Sequence, residues 1–524
     1  MHKIKPVYVL ILLSLPLYLG LGSVHLLDWD EINFAECARE MIVSGNYIVP
    51  QIQFEAFWEK PPLFFWLQVL SMKIFGINEF AARFPNALFG TLTAILLFFT
   101  GKKLNSSSFG FTWALLHLGS LLPFMYFKSG IIDPVFNFFI FSSYSIFIIS
   151  LQKKSTGYLP IMIAGVLNGL AILTKGPVGF LIPFLSILIG GMLYKKKFFR
   201  QLFMFSISAA GVASLWFVSW ILTNGWDTFL DFIKYQSALF SSPVAGHRGF
   251  FLYHFVVVFF GCFPVSIFAL PILFNWKKNQ SGFYTSSMKI LFWVVMVLFT
   301  IVSTKIIHYS SLAYFPLSFF AATYLIEKFH LHQKKKIFSR AYLILGAFWA
   351  LCILSVISFP FYKEKILPYI HDVFAVSNMQ ASTWQFTLLS FSAFLVFMAG
   401  TGLGFYLLTK EKISGFVITQ SITISITFCI LQFSILPKIE EITQGGLITE
   451  IQRLRQEGIP VVISGMKSYA PYFYGNIDES YNTVSPQNTR PVCIVTRINK
   501  PRPAMISPAV EPYSKGGFVY YLLR

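Results

Sequence analysis

Charge is what this chain has least of: 12% of its 524 residues are Asp, Glu, Lys or Arg, against 55% hydrophobic and 18% aromatic. About a quarter of a soluble domain is charged, so the composition excludes an ordinary water-soluble globule and reads as an integral membrane protein. No A-x-A-like cleavage site follows the first apolar run, and many equally apolar runs come later, so that run reads as an uncleaved first span. The five cysteines, Cys37, Cys262, Cys352, Cys429 and Cys493, show no C-x-x-C spacing, which argues against a metal cluster or a disulfide framework. No internal repeat is visible either, although inverted repeats are common in transporters. The net charge of +19 suggests nucleic acid only in a soluble protein; here the basic residues fall in short clusters between apolar runs, so no nucleic-acid partner is expected.

About thirteen apolar runs approach the roughly 20 residues a helix needs to cross a bilayer, among them 6–27, 106–126, 251–274 and 310–326. Basic residues such as Lys5, Lys102, Lys103, Lys410 and Lys412 fall on alternate connections, which the positive-inside rule assigns to the cytoplasm. The opposite, extracytoplasmic side then receives the first loop, the turn at Asp133 and the tail. From about residue 437 the pattern changes to an amphipathic helix and β-rich runs such as "IPVVISG" and "RPVCIVTRI". The expected organisation is a polytopic α-helical domain over 1–436, with an outer loop at 28–83, and a small extracytoplasmic α/β domain over 437–524.

The scarce charge is concentrated. Residues 28–66 carry Asp28, Asp30, Glu31, Glu36, Glu40, Glu55 and Glu59, just after the first apolar run. Asp30 opens a stretch with helical spacing, "DEINFAECAREMI", where an N-cap role is the structural alternative to chemistry. "FWEKPPLFFW" sets Glu59 and Lys60 before a proline pair that stiffens the backbone, an arrangement suited to an anionic headgroup; a solvated ion pair before a turn is the plainer reading. Asp133, ahead of Pro134 at the mouth of an apolar helix, is either a cap or a functional acid at membrane depth. Lys175, His247, Arg248, Lys305 and His308 recur at three outer turns, more than snorkelling of single side chains accounts for.

Together "DE…FAECAREM", "FWEKPPLFFWL", "KIFGINEFAARFPNALFG", the Asp133 turn, "LTKGP" and "KIIHYSSLAYFPL" look like the bacterial lipid A aminoarabinose transferase family. These membrane glycosyltransferases are relatives of the protein O-mannosyltransferases in the GT-C fold class. The resemblance, over residues 25–326, implies a polyprenyl-phosphate-linked sugar donor, 4-amino-4-deoxy-L-arabinose or another pentose or hexose. It also implies an acceptor outside the bacterial inner membrane: lipid A, another glycan or a protein. Carried over residue by residue, Asp30 matches the family's principal acid, with Glu31 beside it, and Asp133 its second acid. Lys60 matches the lysine that meets the lipid phosphate, helped by Arg248 or Lys305, while Glu59 and His247 match positions that hold a divalent metal, zinc, in some members. Asn33 and Phe34 depart from the family pattern. A flippase for lipid-linked sugars is the competing reading; the acidic outer loop and the lack of a repeat favour an enzyme.

Overall fold

The computed structural model describes residues 5–28, 30–152, 157–194, 197–241, 249–275, 282–331, 333, 335–477 and 491–523. Seven helices among them are long and apolar enough to cross a membrane: Glu79–Leu104, Asp133–Gln152, Phe199–Asn224, Phe283–Ile301, Lys335–Ile357, Leu388–Thr409 and Ile413–Ser434. Burial sorts them. Asp133–Gln152 has 83% of its apolar window covered by neighbours, whereas Phe199–Asn224, Lys335–Ile357 and Leu388–Thr409 have 28%. The first is central, and the other three present most of their surface outward, as an apolar chain does when lipid is its solvent.

The remaining apolar runs form shorter or broken helices. The 106–126 run splits into Ser107–Leu118 and Leu121–Tyr126, and the 251–274 run into Tyr253–Gly261 and Val265–Leu273, bent by 118°. A 3₁₀ turn, Ile307–Ala313, precedes the Tyr314–Thr323 helix. In the first run the Pro6–Ser14 helix gives way to a short 3₁₀ segment, because Pro16 cannot donate to the helical ladder. The carbonyls of Pro16 and Leu19 are met instead by the Lys128 ammonium at 3.1 and 2.5 Å. Composition alone counts residues and cannot see where a run bends.

The loop over residues 28–83 is ordered by its own acids. Its helix, Asp30–Ser44, is followed by a two-stranded hairpin, β1 (Gln51–Ile52) and β2 (Glu55–Ala56). At the hairpin tip Gln53 and Phe54 take φ of 61° and 58°. Both amides donate to the buried Glu40 carboxylate at 2.7 Å. One turn earlier Arg39 grips Glu36 with two bonds of 2.6 and 2.7 Å and reaches the carbonyl of Ile477 at 2.9 Å.

The tail contains the helix Gly446–Gln456 and a four-stranded sheet in the order β3 (Val461–Ile463), β4 (Val492–Arg497), β6 (Phe518–Leu523), β5 (Tyr513–Lys515). The β3–β4 pair is parallel and the other two antiparallel. The tail rests on this loop: Gln444 brackets the loop's start through Leu26 O and Asp28 N, and Leu26 N donates to Tyr474 Oη at 2.6 Å.

Candidate active site

Two acids, a lysine and a histidine meet where element ends converge. Asp30 is the first residue of the loop helix, Asp133 the first of the central helix and Lys175 the last of the Leu159–Lys175 helix. His308 stands in the 3₁₀ turn. Lys175 Nζ lies 2.6 Å from Asp133 Oδ1. His308 Nε2 lies 3.5 Å from Asp133 Oδ2 and 3.8 Å from Asp30 Oδ2. The Asp30 carboxylate makes no hydrogen bond among the described residues, so no capping bond from it is present there.

Lys60 is held from two sides. Trp58 stacks on Trp220 with ring centroids 4.8 Å apart and planes 3° off parallel, and the carbonyl of Glu59 accepts from Gln236 Nε2 at 2.9 Å. The ammonium lines a cavity of about 610 Å³ together with Asp133, Lys175, Gln236, Tyr309 and Phe136. Burial holds Lys60 below its ordinary pKa, against the charge of Glu59. An anion entering the cavity would restore that charge. A second, mostly apolar cavity of about 1250 Å³ begins at Asp30 and His308 and runs past Arg83, Lys128 and Tyr253. The acids thus stand between two spaces.

Two of the expected site residues have other work. Glu31, 4% exposed, takes two bonds from Arg83 at 3.0 and 2.7 Å and one each from the amides of Leu27 and Gly130. Despite its burial, the Arg83 guanidinium and these amides hold the Glu31 carboxyl below its ordinary pKa; it is a structural anion with no lone pair left for chemistry. Lys305 donates to the carbonyls of Phe299, Thr300 and Val302 at 2.7 to 2.9 Å. All three of its protons are thus engaged at the C-terminal end of the Phe283–Ile301 helix.

His247 and Arg248 lie outside the described residues. Among the described residues no three His, Cys, Asp or Glu side chains gather as a metal ion would require. Of the two residues implied as zinc ligands, only Glu59 is among the described residues. Sequence reasoning passed over Arg83, Gln236 and Tyr309. Arg83 did carry a signal, a lone guanidinium near the start of an apolar helix, where an unpaired charge is costly.

Residues 59–222 match the family model of the dolichyl-phosphate-mannose-protein mannosyltransferases. The undecaprenyl phosphate-alpha-4-amino-4-deoxy-L-arabinose arabinosyl transferase of Wigglesworthia glossinidia brevipalpis is 29% identical over 350 residues, 64% of this chain and 61% of that protein. The second such transferase of Proteus mirabilis (strain HI4320) is 26% identical over 396 residues, covering 73% and 70%. The chain thus spans about three fifths of the length of the first of these relatives. The crystal structure of ArnT from Cupriavidus metallidurans bound to undecaprenyl phosphate superposes with a TM-score of 0.79 at 19% identity, over 98% of this chain and 97% of that one. Sequence and fold therefore agree on one resemblance: the chain is similar in sequence to the aminoarabinose transferases and shares the fold of the ArnT crystal structure.

Proposed function

We propose that the protein transfers a sugar, 4-amino-4-deoxy-L-arabinose, from undecaprenyl phosphate to lipid A at the outer face of the bacterial inner membrane. One observation carries this reading: the Lys60 ammonium, free of any ion-pair partner among the described residues, lines a cavity that Asp133, beside Asp30 and His308, also lines. The donor phosphate is a singly charged diester and departs as a monoester, gaining negative charge as its bond to the sugar breaks. Lys60 meets that charge, and Lys175, fixed by Asp133, stands behind it; a preorganised cation at the developing charge is where catalytic stabilisation is largest. Asp30 faces the anomeric carbon's other side, orienting the acceptor and accepting its proton. The apolar cavity beyond Asp30 suits an acyl-bearing acceptor, and the relatives' names, which specify the donor, support the same assignment.

The same reading counts thirteen crossings, taking the short and bent helices as spans, with the N-terminus cytoplasmic and both the loop and the tail outside. Lipid A from cells with and without the gene, compared by mass, tests the assignment: a missing pentosamine addition is the expected result. The mannosyltransferase match favours one other acceptor, protein, and a change confined to glycoproteins in the same cells would replace lipid A with it. Unchanged lipids and glycoproteins would overturn glycosyl transfer.

A further inference from the structure

We propose that a cavity at the far end of the bundle from Asp30 and Asp133 binds a zwitterionic lipid headgroup, with its phosphate at Lys103 and its amine at Glu327. The cavity, about 750 Å³, lies where the Glu79–Leu104 and Asp133–Gln152 helices end and the Ser107–Leu118 and Phe283–Ile301 helices begin. Asp133 and Gln152 are the two ends of one 20-residue helix. At 1.5 Å per residue that helix separates the cavity from the candidate active site by about 30 Å, the thickness of a hydrocarbon core. Lys103 belongs to a connection that the positive-inside rule assigns to the cytoplasm. The two sites thus stand at opposite ends of the spans.

The lining is graded from apolar to charged. Phe109, Ile149, Tyr284 and Phe319 are buried, and Tyr284 Oη is already paired with Ser145 Oγ at 2.9 Å. Lys103, Asn105 and Glu327 are exposed. Glu327 stands on a π-helical turn, Tyr324–Lys328, closed by Phe329 N donating to Tyr324 O at 2.8 Å; turns of this kind are frequent at functional sites. Asn105 Nδ2 donates to Glu327 Oε1 at 2.7 Å, which holds the carboxylate and leaves Oε2 open. Lys103 carries the opposite charge in the same lining, yet the two make no ion pair with each other or with any other described residue.

Opposite charges that share a cavity without meeting leave each one for a partner of the other sign. A single ligand serves both only if it carries a phosphate and an amine together. A purely anionic headgroup would bring negative charge to Glu327, and a purely cationic one would bring positive charge to Lys103. The apolar wall of Phe109, Ile149 and Phe319 suits the hydrocarbon attached to such a headgroup, and the volume lies within the roughly 300–1,000 Å³ of small-molecule sites. Two lipids have this chemistry: an aminophospholipid of the bilayer and, on the reading proposed above, the amino-sugar phosphate donor itself.

The test melts the full chain in detergent with dioctanoyl phosphatidylethanolamine, or with dioctanoyl phosphatidylglycerol, which keeps the phosphate and lacks the amine. Phosphatidylethanolamine should protect with an apparent Kd roughly 3- to 10-fold below that of phosphatidylglycerol. Glu327→Gln should abolish that preference and leave the Kd for phosphatidylglycerol unchanged, whereas Lys103→Gln should weaken both. Undecaprenyl phosphate binding at Lys60 checks that both variants are folded. Undecaprenyl phosphate-aminoarabinose added to Lys60→Ala, whose outer site is disabled, separates the two sources. Protection that Glu327→Gln removes makes the donor an occupant of the cavity, and no protection leaves it to the aminophospholipid. Equal protection of the wild type by the two phospholipids, a preference that survives Glu327→Gln, or no protection by any of the three lipids overturns the proposal. A wild type that transfers no sugar would leave these melts unchanged, so the two readings fail separately.

Discussion

Glu31 and Asp30 are neighbours in sequence and carry the same functional group, yet exchanging each for its amide should have opposite consequences. Glu31→Gln leaves the Arg83 guanidinium buried without its counter-charge and weakens up to four hydrogen bonds at one side chain. Removing one partner of a buried pair costs about 3–5 kcal/mol, a large share of the ~5–15 kcal/mol that holds a typical domain together. Arg83 also donates to the carbonyls of Leu21, Val24 and His25, so the loop's entry should loosen with it. Asp30, whose carboxylate is 36% exposed and accepts no hydrogen bond among the described residues, should tolerate Asn within about 0.5 kcal/mol. Its transfer rate should nonetheless drop about 10²–10⁴-fold, the usual contribution of a positioned base. Melting followed by tryptophan fluorescence, paired with transfer from undecaprenyl phosphate-aminoarabinose, separates the two effects. Asp30→Asn transferring within a few-fold of wild type, or Glu31→Gln melting normally while inactive, would refute this division of labour.

Lys60→Ala should abolish undecaprenyl phosphate binding with little change in melting, and Lys60→Arg should recover only part, since a planar fork does not fill the place of a compact ammonium; normal binding by the Ala variant would remove the phosphate role. Lys305→Met should destabilise by about 1–3 kcal/mol, because carbonyls at the Phe283–Ile301 terminus lose their partner, while the donor's Kd stays unchanged; a loss of donor affinity without destabilisation would return Lys305 to the binding site. Burial and the adjacent Glu36 charge push Glu40 up to about 9 from an ordinary 4.5. Between those values the folded state holds the extra proton, so this contribution is complete below about 4.5 and lost as pH rises through 9. Melting temperature should therefore fall from neutral pH toward 9, and the fall should flatten in Glu40→Gln; a melting temperature constant across that window would contradict it.

The features legible in the sequence were those with a local cause. Lys60 ahead of Pro61 and Pro62, Asp133 ahead of Pro134, and the long apolar runs announce rigid turns and helix starts within a few residues of themselves. What stayed hidden depends on partners far along the chain. Glu31 differs from Asp30 by one residue, yet its position on the helix aims it at Arg83, 52 residues away. Lys305 looks like any outer-turn cation until the end of the preceding helix is seen to lack donors. Much of the acidic crowding in the loop is likewise structural: Glu31, Glu36 and Glu40 each bind a guanidinium or paired amides, whereas Asp30 lines the apolar cavity.

The seating of the tail on the loop also sets a schedule for how the protein is made. Leu26 N and Tyr474 Oη, bonded in the finished molecule, are 448 residues apart. At roughly 5–20 residues per second, the beginning of the loop waits on the order of half a minute or more for the segment that will cover it. During that interval Arg39 has Glu36 but not the Ile477 carbonyl, and Asp28 N has no Gln444 to meet. A nascent chain therefore carries the acids of the loop and Lys60 long before they are clamped in place. The segment that completes the loop is made long after it, so the loop is clamped only once residues 444–477 have followed.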